Sequence, residues 1–159
     1  MVLDHLLSAD RIAILAEPGD RDVVLDAAAR LLGNAAPGAT AAIGASLRSR
    51  EQLAATAIGD GVAIPHGRCA AVSEVRAAFL RLSRPVDFGA GDGRPVDLVL
   101  ALAVPEQQVQ QHLELLAELA TQFGDPAFRG CLRNAPDLGE LRRFLLDGSR
   151  HQVFRGAVA

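Results

Sequence analysis

Val96-Asp97-Leu98-Val99-Leu100-Ala101-Leu102-Ala103-Val104 is apolar at every position except Asp97. A strand with one wet face alternates apolar and polar residues, whereas an unbroken apolar run reads as a strand covered on both sides. The run is too short to cross a bilayer, and Pro105 stops it. A strand of this kind needs a sheet around it and helices over both faces of that sheet, and the flanking sequence supplies both.

Working back toward the N-terminus, Asp92-Gly93 is a turn signal. Before it, Val86 and Phe88 sit in a strand-like segment. Val75, Ala77 and Phe79 alternate with Arg76 and Ala78 at a period of two. Ile58 and Val62 to Ile64 lie between glycines and read as short strands. Farther back the pattern is helical. Asp20 or Asp22 can cap a helix ending at Leu32, with Gly33 as its stop signal. Val23, Ala27 and Leu31 share one of its faces, with Val24, Ala28 and Leu32 beside them. After a loop over residues 34–40, containing Pro37 and Gly38, a second helix runs from about Ala41 to Leu53.

Downstream of the apolar run, Pro105-Glu106 opens a long helix to about Phe123. Its expected buried stripe is Val109, Leu113, Leu116, Ala120 and Phe123. Asp125-Pro126 caps a short helix, proline being tolerated in a first turn. A last helix runs from about Asp137 to Leu146, with Gly148 ending it. The order of two helices, several strands and then helices predicts an α/β domain: a mixed sheet flanked by helices on both faces. The domain is assigned to residues 1–148 and a C-terminal tail to residues 149–159, which has little to pack.

Bulk properties narrow the function. The chain of 159 residues suits one domain with a real core. A net charge of −3 and the lack of a basic patch argue against nucleic acid as the main ligand. Cys69 and Cys131 are too few for a disulfide framework, and free thiols fit a reducing cytoplasm. The start, MVLDHLLSADR, lacks the cationic and apolar order of a signal peptide.

The stretch Gly59-Asp60-Gly61-Val62-Ala63-Ile64-Pro65-His66-Gly67-Arg68-Cys69 carries the chemistry. Pro65 fixes its own φ and biases Ile64 toward extended backbone. Gly67 removes bulk after the histidine, so His66 is expected at the rim of a strand that ends there. An imidazole titrates near neutrality, and its neutral form is a nucleophile that can accept a phosphoryl group from another protein. Arg50, 16 positions earlier at the end of the second helix, offers a guanidinium fork for phosphate oxygens. His112 lies on the long helix at the margin of its apolar stripe, where it can face a shallow cleft. Other readings stand beside these: a surface histidine at 66, a solvated arginine at 50, a partly buried core histidine at 112. A zinc site from His66, Cys69 and His112 is a further possibility, although the usual ligand spacing is absent. His5 and His151 read as exposed and inactive. Asp60, Asp87, Asp92 and Asp97 read as turn and strand-end residues. Leu80, Val86 and Phe88 leave open whether they form a docking face.

The run from Arg50 to Gly67, REQLAATAIGDGVAIPHG, resembles the active-site region of enzyme IIA domains of the bacterial phosphotransferase system, fructose–mannitol type. RPVDFGAGDGRPVDLVLALAVPE, Arg84 to Glu106, is similar to the family's two central strands and their hairpin. QHLELLAELA, Gln111 to Ala120, is similar to the helix carrying its second histidine. The segment ALAVPE, Ala101 to Glu106, is most similar to the stand-alone nitrogen-regulatory branch. The resemblance implies a mixed, mostly parallel sheet and His66 as the phosphorylated residue. It implies His112 as the second active-site histidine and Arg50 as the arginine that steadies the phosphoryl charge. The implied donor is the histidine-phosphorylated small carrier protein of that system, and the implied acceptor is a regulated target protein or a permease domain. It calls for no cofactor, no metal and no membrane insertion. Ala54-Ala55-Thr56-Ala57 stands where the family has Gly-Ser-Thr-Gly. Alanine strains such a turn wherever the replaced glycine has positive φ.

Overall fold

The computed structural model describes residues 2–147 apart from 35 and 37. The tail at 149–159, Gly148, His151 and Pro37 therefore lie outside the described residues. In chain order the elements are α1 (Val2–Leu6), β1 (Ile12–Leu15), α2 (Arg21–Leu32), α3 (Ala39–Leu53), β2 (Ala57–Gly59), β3 (Val62–Ala63) and β4 (His66–Arg68). There follow β5 (Arg76–Val86), β6 (Val96–Val104), α4 (Val109–Phe123), α5 (Pro126–Asn134) and α6 (Leu138–Leu146).

The strands form one mixed sheet in the order β1-β5-β6-β3-β2, with β4 also pairing β6. The β1–β5, β3–β6 and β4–β6 pairings are parallel, but β2–β3 and the long central β5–β6 ladder are antiparallel. "Mostly parallel" thus holds by pairing and not at the sheet's centre. There, residues 87–95 make a direct connection and no crossover helix is needed. Asp92-Gly93 does turn in that connection, with Gly93 at φ 73° and its N–H donating to Ala90 O at 3.0 Å.

β6 is covered on both sides, as its composition requires. Leu98, Leu100, Leu102 and Val104 face one cluster with Phe79, Leu119, Phe123 and Leu141. Val99, Ala101 and Ala103 face the other with Val24, Ala28, Ile43 and Leu47. Large residues meet the four-helix side, and alanines meet α2 and α3. Each fully buried leucine contributes about 1.5–3 kcal/mol of apolar transfer free energy, so this strand anchors both layers.

The caps fall where the sequence places them. Asp20 accepts from Val23 N–H, Asp125 from Ala127 N–H and Asp137 from Glu140 N–H. Asp87 accepts from Gly89 N–H and Asp92 from Arg94 N–H, the local turn bonds expected of aspartate. Asp97, however, is committed to a forked pair with Arg133 at 2.8 Å.

Several expectations need correction. α1 and β1 have no counterpart in the sequence reading; β1 is only Ile12–Leu15, and Leu3 on α1 is wholly buried. On α2 the expected Val24, Ala27, Ala28 and Leu32 are buried, joined by Leu25 and Ala29, but Val23 is 43 % exposed. The reason is that α2 is packed against both the sheet and α3, so its covered arc is wider than one stripe. α4 begins at Val109, four residues later than Pro105 suggests. Its buried residues are His112, Leu119, Gln122 and Phe123, whereas Val109 and Leu113 are exposed. Leu80, Val86 and Phe88 are buried and form no docking face.

Candidate functional site

β3 and β4 are one strand in two pieces, both running parallel to β6, with Val62 opposite Leu98 and His66 opposite Leu102. The break is Ile64-Pro65. Proline has no N–H to give the ladder, yet its carbonyl accepts from Leu102 N–H at 2.9 Å. Pro65 therefore interrupts the strand without ending it, and His66 opens the second piece rather than closing the first. The Ile64 carbonyl, turned out of the ladder, lies 2.8 Å from His66 Nδ1. A carbonyl only accepts, so the ring proton sits on Nδ1 and Nε2 keeps its lone pair.

Gly67 has a different purpose from relieving crowding at the histidine. A Cβ there would overlap Ser46 Oγ and lie 3.0 Å from the Ser46 carbonyl carbon. Glycine lets α3 approach β4 this closely. Ser46 Oγ then donates to Arg68 O at 2.7 Å. Arg50, one turn beyond Ser46 on α3, arrives at the same place.

A cavity of about 440 Å³ results. α3 supplies Ser46, Arg50 and Leu53 to it, and β4 supplies His66, Gly67 and Arg68. α4 supplies Val109, His112, Leu113 and Leu116. The three residues singled out from sequence, His66, His112 and Arg50, are thus brought together. The two imidazoles meet edge to face, with centroids 5.1 Å apart and planes at 78°. His112 is only 8 % exposed, and its Nε2 has no hydrogen-bond partner among the described residues. A buried polar atom without a partner is uncommon and marks a position a ligand atom can fill.

The electrostatics favour the neutral form of both rings. Burial lowers the His66 pKa from the usual 6.5, the Ile64 carbonyl opposes this, Arg50 lowers it further and Glu51 raises it. Burial also lowers that of His112, with His66, Arg68 and Arg50 adding to the effect. Arg50 is fixed by donation from Nη1 to Ala54 O at 2.8 Å.

Sequence reasoning missed the support beneath Arg50. Glu51 is 2 % exposed, and its carboxylate accepts from Thr56 N–H at 3.1 Å and from Thr56 Oγ1 at 2.5 Å. This clasp closes the connection whose Ala54 carbonyl holds Arg50. An acidic residue and a threonine five apart across a helix end were the available signal. The alanines at 54, 55 and 57 cause no strain: Ala54 is extended at φ −167°, and Asp60 is the only described non-glycine at positive φ. Strain from the glycine replacements is thereby removed as a concern.

Cys69 does not join the imidazoles. Its N–H donates to Val104 O at 2.8 Å, and it packs with Ala103 and Val72 in the α2–α3 core. Among the described residues no group of three or more His, Cys, Asp or Glu is placed to hold a metal ion. His5 is exposed and far in sequence from the cavity. No helix among the described residues is long and apolar enough to cross a membrane.

The family model for the phosphoenolpyruvate-dependent sugar phosphotransferase system, EIIA 2, matches residues 5–148. The chain belongs to this family. It is 37% identical over 146 residues to a nitrogen regulatory protein of Pseudomonas aeruginosa, covering 91% of this chain and 95% of that one. The nitrogen regulatory protein IIA-Ntr of Neisseria meningitidis superposes with a TM-score of 0.83 at 36% identity, covering 91% of this chain and 99% of that one. Mannitol IIA of Escherichia coli, in its complex with phosphorylated mannitol IIB, shares the fold at a TM-score of 0.73 and 20% identity, over 89% of this chain and 97% of that one. In this EIIA chain the cavity between α3, β4 and α4 is the candidate site.

Proposed function

We propose that this EIIA protein is a histidine phosphocarrier. It accepts a phosphoryl group on His66 from the histidine-phosphorylated small carrier protein of its system, and it serves nitrogen regulation. The single observation that carries the reading is the His66 Nδ1–H bond to the Ile64 carbonyl at 2.8 Å, which leaves Nε2 unprotonated in a cavity shared with His112 and Arg50.

In the step, the Nε2 lone pair of His66 attacks phosphorus, and the donor's N–P bond breaks with its electron pair returning to the donor nitrogen. When the donor ring holds a proton on its other nitrogen it leaves neutral, and no proton need move. The product ring of His66, cationic with a proton on Nδ1, keeps the Ile64 carbonyl as its partner. The transition state is loose and spreads charge over three equatorial oxygens, so positioning and positive charge supply the catalysis. Arg50 offers its guanidinium to those oxygens. The unpartnered His112 Nε2, carrying a proton, donates to one of them.

Leu53, Val109 and Leu113 are 83, 47 and 57 % exposed around the cavity. Large apolar side chains left exposed together mark a protein-interaction surface, which suits transfer from a protein donor. The regulatory reading rests on similarity along nearly the whole length of stand-alone nitrogen regulatory proteins. A sugar-specific role would use the same chemistry and pass the group to a permease domain. The test is incubation with the phosphorylated carrier, read by intact mass. Wild type should gain one phosphoryl group and His66→Ala none; labelling of His66→Ala would refute the proposal.

A further inference from the structure

Arg68 is the residue of the cavity with no role so far. It stands two positions after His66 on β4 and shares that face of the strand, while Gly67 between them faces Ser46 on α3. Its main chain is held from both sides. Cys69 N–H donates to Val104 O at 2.8 Å next to it, and Ser46 Oγ donates to its carbonyl at 2.7 Å. Its side chain is exposed and lines the cavity with His66 and His112. Among the described residues its guanidinium has no carboxylate partner; the ion pairs of Arg48, Arg94, Arg129, Arg133 and Arg143 all lie elsewhere.

Charge balance gives this placement its meaning. A phosphoryl group carries about −1.5 to −2 near neutral pH. Burial favours the neutral form of both imidazoles before transfer, and Glu51, next to Arg50 in the chain, is buried and engaged with Thr56. A phosphoryl dianion is held better by two guanidinium forks than by one, and Arg68 is the second guanidinium lining the cavity. Arg68 lies within electrostatic range of His112, whose cation it disfavours. Arginine suits the task because its fork bridges two oxygens of one group.

We propose that Arg68 is a second phosphoryl-binding residue, clasping the group on His66 from the β4 side while Arg50 clasps it from α3. The inference rests on His66 being the phosphorylated residue. It assigns a contact with the transferred group to a position the sequence reading left without function.

The experiment compares wild type, Arg68→Met and Arg68→Lys after labelling by the phosphorylated carrier. It measures the transfer rate and the phosphorus NMR titration of the phosphoryl group's second ionisation. A lost cation on an exposed strand should slow transfer about 3- to 5-fold and raise that titration midpoint by about half a pH unit. Both effects should shrink at high salt, where exposed charges are screened. Arg68→Lys should restore most of the midpoint, which a purely structural role would not. Equal rate and equal midpoint in wild type and Arg68→Met would overturn the assignment and leave His66 untouched. Wild type that takes no label would instead sink the phosphocarrier reading, and this assignment with it.

Discussion

Gly67→Ala tests how the site is assembled, because the residue touches no reacting atom. Its new Cβ overlaps Ser46 Oγ and comes to 3.0 Å from both the Ser46 carbonyl carbon and Ser46 Cβ. The hydroxyl can rotate away, but it then loses its 2.7 Å bond to Arg68 O, at about 0.5–1.5 kcal/mol. The carbonyl carbon belongs to the backbone of α3, so the helix must withdraw by a few tenths of an ångström. Overpacking of this kind costs about 1–3 kcal/mol. The expected loss is about 2–4 kcal/mol, a fall of roughly 4–15 °C in Tm for a chain of this size. Withdrawal of α3 also carries Arg50 away from His66. Misplacement by about 1 Å can cost about 100-fold in rate, so a few tenths should slow phosphotransfer about 4-fold. Thermal unfolding and stopped-flow transfer from the carrier measure the two effects. Ser46→Ala in the same chain removes the overlapping oxygen, so the double variant should lose less than the sum of the singles, by about 1 kcal/mol. A Gly67→Ala protein that melts with wild type, or a double variant whose losses simply add, would refute the close-approach argument.

Arg50→Ala should lower the transfer rate about 100- to 1,000-fold, the usual cost of removing a donor aimed at developing charge, with the melting temperature nearly unchanged. Thr56→Val should destabilise the fold by about 1–3 kcal/mol, because it removes the hydroxyl bond to the buried Glu51 carboxylate and leaves it only the backbone N–H of residue 56; denaturant midpoints check this. Stability should depend on pH through the two cavity histidines, His66 and His112. Their folded pKa values lie below the usual 6.5, so the unfolded chain binds more protons just below that value. The histidine contribution is complete above it and is lost as the pH falls through 6.5 toward the folded values. Denaturant midpoints across that window should decline in wild type and decline less in His112→Gln; flat wild-type midpoints would count against burial of the neutral rings.

Much of this protein is written locally. The apolar run at Val96–Val104, short, valine-bearing and bounded by prolines, reads as a strand buried on both faces. Asp20, Asp125 and Asp137 mark helix starts because a carboxylate there satisfies free N–H groups of the first turn. Ile64-Pro65-His66-Gly67, with Arg50 and His112, marks the site through its resemblance to a known family and through residue chemistry. Tertiary structure decided the rest. Which arc of α2 or α4 is buried depends on what lies across from it, so Val109 and Leu113 came out exposed at the cavity rim while His112 went in. The brief β1 is only four residues long before the Pro18-Gly19 turn and exists because β5 offers it a parallel edge. Gly67 reads in sequence as room for an imidazole, but only the packing of Ser46 against it shows that it admits a helix. Arg68 has no role in the sequence reading until strand alternation puts it on the His66 face of β4, lining the same cavity as Arg50. Side-chain pattern fixes what a segment is; the partner across the gap fixes which way it faces.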